Sequence, residues 1–300
     1  MDERPLDEEE IRIQVEAIRN NPNLPSPPPS PRPPDLHTGY NTKQKVFAIQ
    51  KFIESFQYNY TGQPFVRMQR NRGMHHISSC AKQIIRAGLP IQCVEAVFIG
   101  CLLTAGITEV DRVPLSFKSK HDSNTYRHIV LAVRYEGKWG ALGISRRKAL
   151  MNKDIRFESL SDMVDDYGRS YAKCGHRMVG VYFGLPFSHD VYSDMPVKWK
   201  VLKIKVFAQD QGTMAAEINR FGAVMMKMLD YFRREGSLPP ASGRREKLPN
   251  FRNGGTKRRS LSLSLKKDAP PGPRSRETLC ASTSSMSLDY DDGNDTDDGD

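Results

Sequence analysis

Residues 89–106 read LPIQCVEAVFIGCLLTAG. Pro90 stands before the run and Gly106 after it, which brackets a helix from about 92 to 105. Its side chains are apolar on nearly every side, so the helix has to lie inside the protein. The period then changes. His128–Tyr135 (HIVLAVRY) and Lys138–Ile144 (KWGALGI) flank a Glu136-Gly137 turn and predict an antiparallel hairpin. A buried helix followed by antiparallel strands belongs to the α+β class.

Upstream, residues 42–58 (TKQKVFAIQKFIESFQY) set Val46, Ile49, Phe52, Ile53 and Phe56 on one helical stripe. NYTGQP (59–64) reads as a turn, and 76–87 carries a weaker helical pattern. Downstream, Ser159–Lys173 predicts a helix, Arg177–Leu185 and Lys200–Phe207 predict strands, and 211–235 a long closing helix. Residues 6–20 space Leu6, Ile11, Val15 and Ile18 like a helix, with Asp7 as its cap; so short a helix persists only if it docks. The Pro-rich stretch 21–35 reads as a linker.

The 300 residues hold 45 Lys and Arg against 35 Asp and Glu, a net charge of +10. The charge is segregated: −4 over 1–35, +13 over 36–237, +9 over 238–276 and −8 over 277–300. The aromatic and aliphatic residues share the basic middle, so the folded unit faces something acidic. Residues 238–300 hold too little apolar surface to pack. This divides the chain into an acidic helix and Pro-rich linker (1–37), one folded domain (38–237) and a charged tail (238–300). No apolar run has the length of a membrane span. MDERPLDEEE lacks the apolar core of a secretory signal, and five Cys without a CxxC pair argue against a disulfide framework or a Cys-type zinc module. These features point to reduced thiols in the cytoplasm.

Three residues could do chemistry together. Cys93 falls in the first turn of the buried helix, where free N–H groups favour a thiolate and can hold an oxyanion. His128 opens the strand 35 residues later, and Ser145 closes the next strand 17 residues after that. A helix-borne Cys, a strand-borne His and a third group on the adjacent strand suit papain-like or transglutaminase-like nucleophilic catalysis. Pattern alone leaves the other reading open: Cys is among the most buried residue types, and Cys93 could pack as Cys101 does.

The motifs around these residues resemble the vasohibin family. They are LPIQCVEAVFIG (89–100), VPLSFKS (113–119) with YRHIVLAV (126–133), and GALGISRRKALM (140–151). FQYNYTG (56–62), SLSDMVDDYGRSY (159–171), SHDVYSDMPVKWK (188–200) and AEINRFGAVMMKMLDYF (216–232) extend the likeness over about 50–235. The resemblance implies a transglutaminase-like cysteine peptidase that removes the C-terminal tyrosine of α-tubulin without a cofactor or metal. It also implies a short helical partner, the small vasohibin-binding protein. Cys93 would be the nucleophile and His128 the general base, then acid. The Ser145 backbone carbonyl would orient the imidazole. Tyr58 would line the site and donate to the oxyanion, and Arg146 would take the substrate's terminal carboxylate. Arg70, Arg72 and Arg147 match basic positions along a groove for the acidic tail. Gln92 stands where the family usually has Lys, so a cation near the carboxylate is replaced by a neutral donor.

The same resemblance implies a cytoplasmic, microtubule-associated protein and leaves non-conventional secretion open. A non-catalytic microtubule-binding module of the same fold is the alternative. Residues 238–276 lack interleaved aromatics apart from Phe251, which gives specific nucleic-acid binding little support. The Phe- and Ile-rich stripe at 42–58, near the domain edge, asks for a cover that a helical partner would supply. His75-His76 and Cys174-Gly175-His176 lack the spaced partners of a metal site.

Overall fold

The computed structural model describes residues 8–21, 30–36, 39–206 and 211–235. Among these residues six α-helices run α1 (Glu8–Arg19), α2 (Thr42–Glu54), α3 (Met74–Ala87), α4 (Cys93–Leu103), α5 (Leu160–Lys173) and α6 (Gln211–Glu235). Six strands run β1 (Asp111–His121), β2 (Asn124–Tyr135), β3 (Lys138–Leu142), β4 (Lys153–Phe157), β5 (Arg177–Phe183) and β6 (Leu202–Lys205). They form one sheet in the order β4-β3-β2-β1-β5-β6, every pair antiparallel. The fold is α+β.

Two apolar cores lie on opposite faces of this sheet. On one, α2, α3 and α4 pack against Ile129, Leu131, Val133 and Leu142. On the other, α5 and α6 cover Val113, Leu115, Phe117, Val130 and Ala132. Residues 129–133 of β2 are buried on both faces, which is why HIVLAV reads as a continuous apolar run. Helix α4 is sunk in the first core, with Val94 to Cys101 all buried.

Three expectations need correction. The stripe of α2 awaits no outside cover: Val46, Ile49, Phe52, Ile53 and Phe56 are buried in the first core, and only Phe47 on this helix is a large exposed apolar residue. The Pro-rich stretch is not wholly a free spacer, because Ser30 Oγ donates to Arg86 O at 3.4 Å and Leu36 packs on that core. Residues 111–121, where no strand is predicted, form the central strand β1. Leu6, Asp7 and the tail 238–300 lie outside the described residues.

A buried cation ties the layers together. Arg112 is fully enclosed; its Nη1 donates to Cys101 O at 2.8 Å, and its Nη2 to Ser188 O at 2.6 Å and Phe187 O at 3.3 Å. Its charge sits by the C-terminal carbonyls of α4, where the helix dipole favours a cation.

Candidate active site

Cys93 is the first residue of α4, and the chain entering it is fixed on two sides. Glu95, buried one turn in, accepts the Gln92 N–H at 2.7 Å. Burial pushes the Glu95 carboxyl up, and that bond opposes the rise. On the other side Tyr58 and Ile91 form a parallel bridge: Asn59 N donates to Ile91 O at 2.8 Å, and Ile91 N to Gln57 O at 3.1 Å. The turn carrying Tyr58 is tied by Asn59, whose Oδ1 accepts from Thr61 N at 2.9 Å and Thr61 Oγ1 at 2.7 Å, while its Nδ2 donates to Gln63 O at 2.7 Å. NYTGQ is thus a side-chain-locked turn that seats Tyr58 beside the N-terminus of α4.

His128 reaches the same place from β2. Burial is the strongest influence on the Cys93 thiol and opposes ionisation. The hydrogen bond and charge of His128, the Ile129 backbone and the Arg70 charge together outweigh it, so the thiol lies below the ordinary range. The residue is only partly covered although its sulfur sits deep. The imidazole stacks on Phe117, its register partner in β1, with centroids 6.5 Å apart and planes 19° apart. Its Nε2 lies 2.8 Å from Leu150 O, in the 3₁₀ turn Lys148–Leu150.

That contact corrects the expected role of Ser145. The carbonyl that meets His128 belongs to Leu150, five residues further on. Ser145 lies beyond the end of β3, in the stretch that leads to the 3₁₀ turn, and its Oγ accepts Arg147 N at 3.3 Å. The stretch leading there is held from α2. Gln50, buried, donates Nε2 to Gly143 O at 2.9 Å and accepts Gly143 N on Oε1 at 3.0 Å.

Arg146 is exposed and lies over the rings of Tyr58 (5.4 Å) and Tyr60 (5.8 Å). Burial and then the Cys93 charge raise the Tyr58 phenol, with Arg146 opposing, so Tyr58 stays a protonated donor at neutral pH. Arg70 packs on Trp199 at 5.7 Å with its charge acting on Cys93, and Trp199 Nε1 donates to Arg70 O. Arg72 turns to Gln69, donating from Nε at 3.0 Å, and its charge acts on His76. Arg147 is exposed and its charge acts on His176. The structure therefore gathers Cys93, His128, Tyr58, Arg146 and Arg70, with Gln92 adjoining, while the charges of Arg72 and Arg147 act on His76 and His176.

Sequence reading passed over Leu150, Gln50 and Tyr171. Tyr171 is buried among Phe117 and Tyr167, and among the described residues its Oη has no hydrogen-bond partner. Burial raises its phenol first, with the Cys93 charge among the other causes. Leu150 acts through its backbone and leaves no side-chain signature. Among the described residues, no three His, Cys, Asp or Glu side chains converge as metal ligands, and no helix is long and apolar enough to cross a membrane.

The sequence profile of the family described as Vasohibin matches residues 8–226. Mouse "Tubulinyl-Tyr carboxypeptidase 1" is 32% identical over 235 residues, covering 78% of this chain. The chain spans 60% of the length of that relative. A match over most of the folded region, on a fold that brings the motif-borne Cys, His and Tyr to one place, makes this chain a member of the vasohibin family.

Proposed function

We propose that this chain is a cysteine carboxypeptidase that removes the C-terminal tyrosine from the acidic tail of α-tubulin, and that its catalytic unit is residues 38–237. The observation that carries the reading is the Cys93 thiol, at a helix N-terminus, lowered by an imidazole whose far nitrogen is fixed on Leu150 O. The name of the mouse relative supports the substrate.

The thiolate attacks the carbonyl carbon before the last residue, and the carbonyl π pair moves to oxygen. N–H groups at the start of α4 and the Tyr58 hydroxyl stabilise that oxyanion. Collapse breaks the C–N bond, and His128, holding the thiol proton, gives it to the departing amine. Water then attacks the thioester, His128 takes its proton, and the sulfur leaves as thiolate. Arg146 holds the terminal carboxylate of the substrate through its guanidinium fork. Arg70, Arg72 and Arg147 attract the acidic tail by their field.

The test is mass spectrometry of a Glu-rich peptide ending in tyrosine, incubated with the chain and with Cys93→Ala. Loss of one tyrosine only with intact Cys93, and only from the free carboxylate form, supports the reading. An intact peptide counts against it. Gln92, uncharged where the family usually has Lys, favours a second reading, a non-catalytic microtubule-binding module. Salt-sensitive co-sedimentation unaffected by Cys93→Ala, with no cleavage, would select it. A small helical partner and a cytoplasmic, microtubule-associated location belong to the first reading; the buried α2 stripe does not offer that partner a seat.

A further inference from the structure

His76 lies in the first turn of α3, half-buried, with Cys80 buried one turn later on the same face. The loop before α3 folds back onto this pair. Gln69 N donates to His76 Nε2 at 3.2 Å; Cys80 Sγ lies 3.3 Å from that nitrogen and 3.7 Å from Arg67 O. A backbone N–H can only donate, so Nε2 carries no proton and the ring is neutral with its hydrogen on Nδ1. The thiol hydrogen is left to Nε2 or to Arg67 O. The two side chains thus grip the loop at Arg67 and at Gln69.

That loop carries Arg70 and Arg72. Its other edge is tied to the chain before β6: Trp199 Nε1 donates to Arg70 O and Val197 N to Arg72 O at 3.3 Å. With one edge on α3 and the other on Trp199, Arg70 is held where its charge reaches Cys93. We propose that His76, with Cys80, is a positioning residue for the substrate-facing cations: its unprotonated Nε2 locks the 67–72 loop and sets Arg70 and Arg72 for an acidic chain. The proposal rests on the reading of the site as one for an acidic tail.

Protonation of His76 would set two N–H groups against each other and release Gln69. The groups facing the ring are Arg72 from the loop and His75 and Cys80 from α3; Asp194, on the neighbouring loop, lies 3.6 Å from His75. Burial, then Arg72, then His75 lower the His76 imidazole, so the lock is closed at neutral pH and opens as pH falls below the ordinary imidazole range.

Two measurements on the full chain test this. The first is hydrogen exchange of the Gln69 amide. It speeds up about tenfold in His76→Leu and returns to the wild-type rate in His76→Gln, whose carbonyl oxygen can accept the same bond. The second, in a Cys93→Ala background so that nothing is cleaved, is anisotropy of a labelled Glu-rich peptide ending in tyrosine. His76→Leu weakens binding about fivefold, the ratio one net hydrogen bond supports, and His76→Gln restores it. As pH falls, binding weakens more steeply with His76 than with His76→Gln. Unchanged exchange in His76→Leu overturns the lock whether or not the active chain cleaves a tail. Faster exchange with unchanged binding overturns its link to the cations. If both effects appear and the active chain leaves the peptide intact, the positioning role is upheld and the carboxypeptidase reading falls.

Discussion

The Nε2 of His128 and the main-chain oxygen of Leu150 lie 2.8 Å apart, so the imidazole is oriented by a carbonyl on a 3₁₀ turn rather than by a side chain. Such an arrangement is blind to the residue type that supplies it. It also means that truncating the Ser145 side chain should leave the imidazole oriented, whereas removing the imidazole should not be tolerated. Ser145→Ala removes only an acceptor for Arg147 N and should keep kcat/KM within about threefold. His128→Ala should lose about a hundredfold or more, the range of a lost acid–base group. Steady-state kinetics on a tail peptide decides; losses of equal size would show that the Ser145 hydroxyl, rather than a main-chain carbonyl alone, serves the imidazole.

The Cys93 thiol should be alkylated by iodoacetamide with a pH midpoint below that of an ordinary cysteine. The sign follows from the balance at the sulfur: burial raises its proton affinity, while His128, the Ile129 backbone and Arg70 lower it further than burial raises it. In His128→Ala the two largest lowering influences are gone, and the midpoint should move up. A midpoint unchanged by that substitution would remove His128 as the activating group.

Arg146 is exposed and lies over the rings of Tyr58 and Tyr60. Arg146→Ala should raise KM for a tyrosine-ended peptide roughly tenfold or more, the scale of one charge-assisted hydrogen bond. Arg146→Lys should recover only part of this, because a point charge lacks the fork. An amidated peptide, having no carboxylate, should be handled equally poorly by wild type and Arg146→Ala.

Two buried polar contacts set stability. Gln50→Leu strands both the N–H and the C=O of Gly143 and should cost about 2–3 kcal/mol in denaturant unfolding, loosening the stretch that leads to Ser145. Arg112→Ala frees three carbonyl oxygens, those of Cys101 and Phe187 buried and that of Ser188 partly so, and opens a cavity, at a cost of about 3–5 kcal/mol. Arg112→Lys should recover little, since one ammonium cannot span Cys101, Phe187 and Ser188.

Much of this was legible in the sequence, for identifiable reasons. Helix α4 and the β2–β3 hairpin announce themselves because residues 94–101, 129–133 and 139–142 are buried throughout and bounded by Pro90, Gly106 and the Glu136-Gly137 turn. Strand β1 was hidden by Pro114, which argues against a central strand. It is tolerated because its backbone polar groups face β5 at the end of that ladder: Leu115–Phe183 is the last pair, and Pro114 O accepts Gly184 N at 3.0 Å. Strand β4 is a short edge strand with alternating half-exposure, a weak pattern at five residues. At the site, side chains with a chemical identity (Cys93, His128, Tyr58, Arg146) could be picked out, and the Leu150 carbonyl could not. Gln50 reads as an ordinary helix polar residue, because its partner lies 93 positions away.

The most direct test is the intact mass of purified α-tubulin after incubation with the chain, with Cys93→Ala and with His128→Ala. The account predicts loss of one tyrosine residue from the C-terminus with the wild-type chain, none with Cys93→Ala, and a rate down about a hundredfold with His128→Ala. Undiminished tyrosine with the wild-type chain, or loss that persists in Cys93→Ala, would contradict it.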